Sequence, residues 1–438
     1  MVNRYDTEDV VDQTILGDEI KLPFSGRVAK SRFMKGAMTE RLSSWDQKDP
    51  TKRGTPSQGL INLYKAWGED DYGIILSGNL LVNPVDLEAP GNPVISKDSM
   101  SEEKRQAFRD MATQAKAHGS LFIAQLSHAG RQVAEFIQPH PFSASDVKLE
   151  DRMGMSFGKP EAMTEEKIKQ TVDEFAFAAE ECYKAGFDGI QLHGAHGYLI
   201  AQFLATTTNK RTDRYGGDLA NRSRIIFEML DEIKRRVDDP KFVLGIKLNS
   251  VEFQKGGFDT EECAELCRNL EGAGLDFVEL SGGTYEELAF AKRDSTEKRE
   301  AFFLKFAEVI RPALTRTKVY VTGGFRTGKA MVEAIGSQAT DGIGLARPTT
   351  AELTLCRDLI ANKIHACSKP ALDEGDFGAT SNLSGAQMGQ IARGEDILDA
   401  SDKAAADNFL AKVAEFMKKT GDDIKSGVVY AGHPVIKV

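Results

Sequence analysis

Short apolar runs alternate along the chain with longer stretches in which apolar residues recur every three or four positions. The short runs predict buried strands, and the longer stretches predict amphipathic helices. Seven helical stretches separate the strands, and an eighth follows the last strand at 351–364. The predicted strands lie at 32–38, 73–79, 121–127, 188–193, 241–248, 275–281, 318–323 and 341–346.

Eight strands that alternate with helices predict an α/β fold with a single (β/α)8 TIM barrel. An open, doubly wound sheet is the alternative, but it normally has a glycine-rich turn after the first strand, where this chain has MTERLSSW. The connections at 128–163, 194–217 and 282–298 are longer than a barrel needs. They are βα loops, which lie on the face where barrel enzymes place their active sites. We therefore predict a barrel with long βα loops.

The barrel is predicted to occupy residues 1–365, followed by a C-terminal extension at 366–438. Residues 370–400 are rich in Gly, Ser and Asp, which favours an irregular segment over the surface. Residues 400–422 have the periodicity of one amphipathic helix. We expect this extension to pack on the barrel or on a partner chain.

Composition narrows the class of protein. The 438 residues carry 56 Lys and Arg against 66 Asp and Glu, a formal charge of −10, which disfavours a nucleic-acid partner. No apolar run approaches the roughly 20 residues of a membrane span, and the polar start resembles no targeting segment. The five cysteines lack CxxC spacing, which argues against disulfide, zinc or iron–sulfur frameworks. We predict a cytoplasmic protein without a metal, whose partner is a small molecule.

Candidate catalytic and ligand-binding residues lie at the ends of three predicted strands. His193, His196 and Tyr198 follow the fourth strand in the segment HGAHGY. By themselves the histidines are compatible with packing, with a metal site that lacks an evident third ligand, or with catalysis. Gly323 and Gly324 follow the seventh strand, where they form either a tight turn or a phosphate-binding backbone. Arg347 follows the eighth strand, where a guanidinium can bind phosphate oxygens.

HGAHGYL, followed by NKRTDRYGG, resembles the Old Yellow Enzyme family of FMN-dependent oxidoreductases, especially its NADH:flavin oxidoreductase / NADH oxidase branch. RFMKGAMTE, IAQLSHAGRQ, VTGGFRT and DGIGLARP occur in the same order as in that family, and the resemblance covers roughly 20–362. It implies non-covalent FMN as the cofactor, with NADH or NADPH as co-substrate.

The resemblance also implies which residues hold FMN. Gln125 would pair with the flavin pyrimidine, Lys247 stands where the family more often has Arg, and Thr39 would lie near the flavin O4 edge. Ala37 replaces a frequent Pro, and Ser127 replaces a frequent Trp. The full implied set is Ala37, Met38, Thr39, Gln125, Lys247, Gly323, Gly324, Ala346 and Arg347.

The implied activity is that of an ene-reductase, which moves hydride from NAD(P)H through FMN to the β-carbon of an α,β-unsaturated carbonyl. His193 and His196 would hydrogen-bond the carbonyl oxygen, and Tyr198 would donate a proton to the α-carbon. Electron transfer to quinones or oxygen, and a non-catalytic flavin-binding barrel, are the alternatives. A flavin barrel with an iron–sulfur cluster would need a cysteine cluster that Cys356 and Cys367 do not supply. A homo-oligomer is compatible with all of these.

Overall fold

The eight predicted strands pair to form a closed parallel barrel in the computed structural model of the chain. The structure describes residues 2–7, 9–152, 154–250, 257–282 and 307–436. Each strand pairs with the next along the chain, and the eighth pairs with the first. The predicted TIM barrel is confirmed. The strands are β1 (Phe33–Lys35), β2 (Ile74–Leu81), β3 (Leu121–Ser127), β4 (Gly189–Gly194), β5 (Val243–Asn249), β6 (Phe277–Ser281), β7 (Lys318–Thr322) and β8 (Gly342–Leu345).

Helices surround the barrel, and most of the longer ones begin at a Ser, Thr or Asp whose side chain accepts a backbone N–H of the first turn, as Ser57, Thr164 and Asp218 do. Within the described ranges, no helix is long and apolar enough to cross a bilayer. The helices are α1 (Gln58–Gly68), α2 (Glu102–Ala115), α3 (Glu165–Lys184), α4 (Leu199–Leu204), α5 (Leu219–Val237), α6 (Thr260–Gly272), α7 (Gly328–Gly336), α8 (Pro348–Ala351), α9 (Leu355–Ile360), α10 (Phe377–Arg393) and α11 (Lys403–Lys425).

Short elements complete the described part of the chain. The helix predicted over 351–364 is shorter than expected, because only α9 forms there. Nearly all of the loop predicted at 282–298, and about the first half of the helical stretch before β7, lie outside the described residues. Two-residue strands pair Ile20–Lys21 with Val28–Ala29, and Phe142–Ser143 with Glu161–Ala162. Single 3-10 turns occur at Thr14–Gly17, Pro50–Lys52, Lys97–Ser99, Gly130–Gln132 and Arg311–Ala313.

The lower half of the barrel interior is apolar and closely packed. Phe277 and Tyr320 fill it, each opposite a glycine. A Cβ on Gly245 would lie 2.3 Å from the Phe277 ring, and one on Gly342 would lie 2.2 Å from Tyr320. Large side chains therefore depend on small partners, as close packing requires. This solid floor leaves the carboxyl ends of the strands as the place for a site.

The prediction of an irregular segment at 370–400 is wrong, because this stretch contains the helix α10. The Asp376 carboxylate caps its first turn, and Gly394 ends it in the left-handed conformation at φ 69°. Its small residues, which suggested a loop, instead let it approach α1 closely: the Asn62 amide donates to the Ala392 carbonyl at 3.1 Å. Tertiary packing therefore overrides weak helix propensity. The extension thus has two helices rather than one, and α11 matches the predicted amphipathic helix.

Candidate active site

Polar side chains occupy the upper half of the barrel interior. Side chains alternate along a strand, so every second residue faces inward. Near the carboxyl ends of β2 to β6 these inward positions hold buried polar residues instead of apolar ones. They form two connected groups, which we call the inner and the outer network.

The inner network links Gln125 to Lys247 across the barrel. Gln125 donates to the Gln191 amide oxygen at 2.7 Å, and Gln191 donates to the Glu279 carboxylate at 2.8 Å. The other Glu279 oxygen lies 3.0 Å from the Lys247 ammonium. A polar floor with one paired cation therefore connects the two predicted flavin contacts. The sequence reasoning missed Gln191 and Glu279, although each lies two positions before a polar residue of the outer network on the same strand.

The outer network contains both histidines of the HGAHGY segment. His193 Nδ1 lies 2.8 Å from the Asn79 amide oxygen, and His193 Nε2 lies 3.4 Å from His196 Nδ1. His196 Nε2 is 2.9 Å from the Ser281 hydroxyl. Burial, then positive charge at Lys247, lowers the pKa of His196 well below its ordinary value. Burial, then His196 and Lys247, does the same to the pKa of His193. Both imidazoles are therefore neutral at pH 7.

His196 has a constrained backbone. Its φ is 58°, a left-handed conformation that is uncommon for residues other than glycine. Its N–H donates to the Asn249 side chain at 3.1 Å, and its carbonyl accepts from Gln132 at 3.0 Å. These bonds hold the turn that directs its ring toward His193. Such strain is typical of functional sites.

Tyr198 completes the predicted triad. It is the N-cap residue of α4, and only 4% of it is exposed. Its ring centre lies 4.7 Å from that of His193. The fold thus brings His193, His196 and Tyr198 into one cluster, above the inner network and on the side of β4.

The predicted phosphate-binding residues lie where β7 and β8 end. Pairing of Thr322 with Gly344 places the two following loops side by side. Gly323 and Gly324 have φ values of 137° and 92°, so this turn needs residues without a Cβ and presents bare backbone. Arg347 begins the next loop, and its guanidinium donates to the Thr380 hydroxyl of α10 at 2.6 Å. Backbone N–H groups and a guanidinium are the donors that a phosphate needs.

The loop after β1 carries the other predicted flavin contacts, Ala37, Met38 and Thr39. It is tied to β8, because the Gly36 N–H donates to the Leu345 carbonyl at 2.7 Å. The Thr39 hydroxyl donates to the Glu88 carboxylate at 2.6 Å, and Asn79 donates to the other oxygen of that carboxylate at 2.7 Å. Glu88 therefore joins the β1 loop to the outer network. No sequence signal singled it out.

The C-terminal tail, residues 427–436, packs along the same loop. The Trp45 indole donates to the Val429 carbonyl at 2.9 Å, and His433 Nε2 lies 3.1 Å from the Thr39 carbonyl oxygen. Burial, then the Arg41 charge, lowers the pKa of His433 to about 4. His433 is therefore a neutral donor to Thr39 at pH 7. The extension thus contributes to the walls of the site.

A buried lysine supports the β1 loop from behind. Lys35 donates to the Leu76 carbonyl at 3.0 Å, and its ammonium lies 3.9 Å from the centre of the Trp67 ring. Burial lowers its pKa to about 7 and raises the pKa of the nearby Glu40 carboxyl, which also accepts from the Tyr64 hydroxyl. The apolar periodicity of β1 gave no indication of this group.

The described part of the chain contains no evident metal-binding site. There, no three His, Cys, Asp or Glu side chains come close enough to hold an ion. The five cysteines are free and buried.

The barrel has a polar mouth, with a glycine turn after β7 and Arg347 after β8. Comparison with known proteins identifies the class of protein that this site belongs to. The model of the NADH:flavin oxidoreductase / NADH oxidase family matches residues 26–363. The chain is 44% identical over 418 residues to NADH-dependent flavin oxidoreductase nadA of Aspergillus parasiticus, covering 94% of each protein. It is 33% identical over 343 residues to NADH-dependent flavin oxidoreductase iccE of Talaromyces variabilis, covering 72% of this chain and 83% of that one.

Solved structures agree on the fold. An old yellow enzyme homologue from Zymomonas mobilis superimposes with a TM-score of 0.66 at 22% identity, over 82% of this chain and 95% of that one. Morphinone reductase gives a TM-score of 0.66 at 21% identity, over 82% and 92%. The chain belongs to the NADH:flavin oxidoreductase / NADH oxidase family, which confirms the resemblance seen in the sequence. It is a flavin-dependent oxidoreductase.

Proposed function

We propose that the protein is an FMN-dependent ene-reductase that oxidises NAD(P)H and reduces the C=C bond of an α,β-unsaturated carbonyl compound. The observation that carries the proposal is the cluster of His193, His196 and Tyr198 directly above the inner network. Polar hydrogen-bonding groups for an oxygen and a phenol for a proton lie side by side there.

FMN fits the residues that surround the mouth. Gly323, Gly324, Ala346 and Arg347 would hold its phosphate with backbone N–H groups and one guanidinium. Gln125 and Lys247 would face its pyrimidine, while Ala37, Met38 and Thr39 would line its other edge. Bound FMN would supply the redox chemistry by carrying hydride from the nicotinamide to the acceptor. The 44% identical relative is named an NADH-dependent enzyme, so we propose NADH as the preferred donor, with NADPH as the alternative.

Side chains of the protein position the α,β-unsaturated carbonyl compound and donate a proton to it. His193 and His196 bind the carbonyl oxygen, where negative charge develops as the alkene is reduced. Tyr198 gives its phenolic proton to the α-carbon, because an ordinary phenol keeps that proton at pH 7. The partner is thus a small molecule. The homo-oligomer and the cytoplasmic location stay predictions.

The test uses purified protein. Acid precipitation is expected to release FMN, and anaerobic NADH is expected to bleach the flavin absorbance. Addition of 2-cyclohexenone then restores the yellow colour, and cyclohexanone appears in stoichiometric amount. A folded preparation that binds FAD or no flavin would contradict the cofactor assignment. Bleaching followed by re-oxidation with menadione or oxygen, but not with the enone, would instead support the electron-transfer alternative.

A further inference from the structure

A continuous chain of hydrogen bonds runs through the outer network to Glu88. It passes from Ser281 to His196 at 2.9 Å, to His193 at 3.4 Å, to Asn79 at 2.8 Å and to Glu88 at 2.7 Å. Glu88 also accepts from the Thr39 hydroxyl at 2.6 Å. The Glu88 carboxylate can only accept, and this fixes where the protons of the other groups lie.

The direction of the chain is set at its Glu88 end. A carboxylate only accepts, so the Asn79 group facing Glu88 is the NH2 group, and the Asn79 oxygen faces His193. An amide oxygen also only accepts, so His193 Nδ1 carries a proton. A neutral imidazole has one N–H, and His193 Nε2 therefore presents a lone pair.

The second histidine follows from the first. His196 Nδ1 faces the lone pair of His193 Nε2 at 3.4 Å, so His196 Nδ1 carries the proton. Its Nε2 then accepts from the Ser281 hydroxyl. Every donor in this series of hydrogen bonds therefore points toward Glu88.

We infer that Glu88 is a positioning residue for His193 and acts on it through Asn79. It keeps neutral His193 protonated on Nδ1, so that Nε2 is an acceptor toward the mouth. An oxygen ligand therefore gains its second hydrogen-bond donor only when His193 Nε2 receives a proton. The inference rests on the proposed function, which places an oxygen ligand between the two histidines. His196 supplies the Nδ1–H that it gives to His193 in the free protein, without a change in its own protonation. An enone carbonyl oxygen is thus held first by His196 and gains the His193 donor only as negative charge develops on it, whereas a phenol or phenolate gains that donor on binding.

The proton can come from two sources. A phenol can break its O–H bond and form the Nε2–H bond, leaving the electron pair on the oxygen, which gives a phenolate beside an imidazolium. A ligand that is already a phenolate takes the proton from solvent. The positive charge of the new imidazolium is stabilised by the Asn79 oxygen, which accepts from Nδ1–H, with the Glu88 carboxylate behind it.

The surrounding charges explain why the proton arrives only with the ligand. Burial, then His196 and Lys247, opposes protonation of His193, and Glu279 compensates Lys247 from 3.0 Å. The Tyr198 ring packs against the remaining side of the imidazole. An anionic oxygen in the mouth adds the opposite charge at close range, where the low dielectric makes it effective.

The experiment measures proton uptake on binding to the FMN-loaded enzyme. Calorimetric titration with 4-nitrophenol, at a pH where the free ligand is phenolate, is repeated in two buffers of different ionisation enthalpy. The wild type is expected to take up close to one proton per ligand. Two variants are expected to take up less than half a proton per ligand. Glu88→Ala frees the Asn79 amide to rotate, and Asn79→Ala removes the acceptor for His193 Nδ1. Ser127→Ala is the matched control, because its hydroxyl lies 3.4 Å from the same His193 nitrogen, and its uptake is expected to equal that of the wild type.

Uptake near zero in the wild type, or unchanged uptake in Asn79→Ala and Glu88→Ala, would overturn the inference. If neither variant folds, nitrogen-15 spectra of histidine-labelled wild type decide, with His193 assigned by loss of its signals in His193→Gln. A proton on Nδ1 supports the inference, and a proton on Nε2 overturns it. Absence of flavin or of any phenol binding in folded protein would instead contradict the proposed function, while the same spectra still report the tautomer.

Discussion

The Lys247 ammonium and the Glu279 carboxylate form an ion pair inside the barrel at 3.0 Å, with both side chains buried. Each charge depends on the other, because a lone charge in this interior would lack compensation.

Glu279→Gln is therefore expected to destabilise the protein by about 3–5 kcal/mol, the usual cost of breaking a buried pair. The amide can still accept from Gln191, so the loss is electrostatic. Urea unfolding measures the change. The double variant Lys247→Met with Glu279→Gln is expected to recover much of it, and strict additivity of the two single changes would show that the pair is not coupled.

Arg347→Ala is expected to weaken FMN binding roughly ten- to hundredfold, because a charged hydrogen bond contributes about 1.5–3 kcal/mol. Fluorescence of free FMN during dilution measures the affinity. Thr380→Val is the matched control, since it removes only the hydroxyl that anchors the guanidinium, and a smaller loss is expected. Equal affinity of Arg347→Ala and wild type would place the phosphate elsewhere.

Tyr198→Phe is expected to separate the two half-reactions. The ring that packs on His193 stays, so reduction of the flavin by NADH is expected to remain near the wild-type rate. Re-oxidation by an enone is expected to fall by about a hundred- to ten-thousandfold, the range typical of a lost general acid. Stopped-flow absorbance follows both steps. Equal slowing of both, or of neither, would make Tyr198 a packing residue.

His433 is expected to make the wild type sensitive to acid. Its pKa is about 4 in the folded protein and roughly 6.5 when unfolded, so the unfolded chain binds more protons between these values. Folding stability therefore falls as the pH drops from about 6.5 toward 4, by up to about 3 kcal/mol. His433→Gln lacks this titration, and its stability relative to wild type is expected to rise over the same window. Parallel pH profiles from urea unfolding would contradict this.

The fold could be predicted because barrel strands and helices repeat a simple apolar pattern eight times. His193, His196 and Tyr198 lie together within one loop segment, so proximity in sequence predicted proximity in space. Glu88 and Glu279 could not be found that way. Glu88 lies in the loop after β2, far in sequence from the histidines. Glu279 lies on β6, and the sequence alone does not show which residues of that strand face the barrel interior. The helix α10 was missed because its small residues suit close packing, which a single-sequence pattern does not reveal.

The contact between His433 and Thr39 joins the tail to the loop after β1 across nearly the whole described chain. Residues 427–436 are translated after all eight barrel strands, so every strand of the barrel is synthesised before this wall of the mouth. The tail is thus the last part of the proposed flavin pocket to be synthesised. A chain that ends before residue 427 would contain every barrel strand and lack this wall, so its cofactor loading would report what the tail contributes to the proposed pocket.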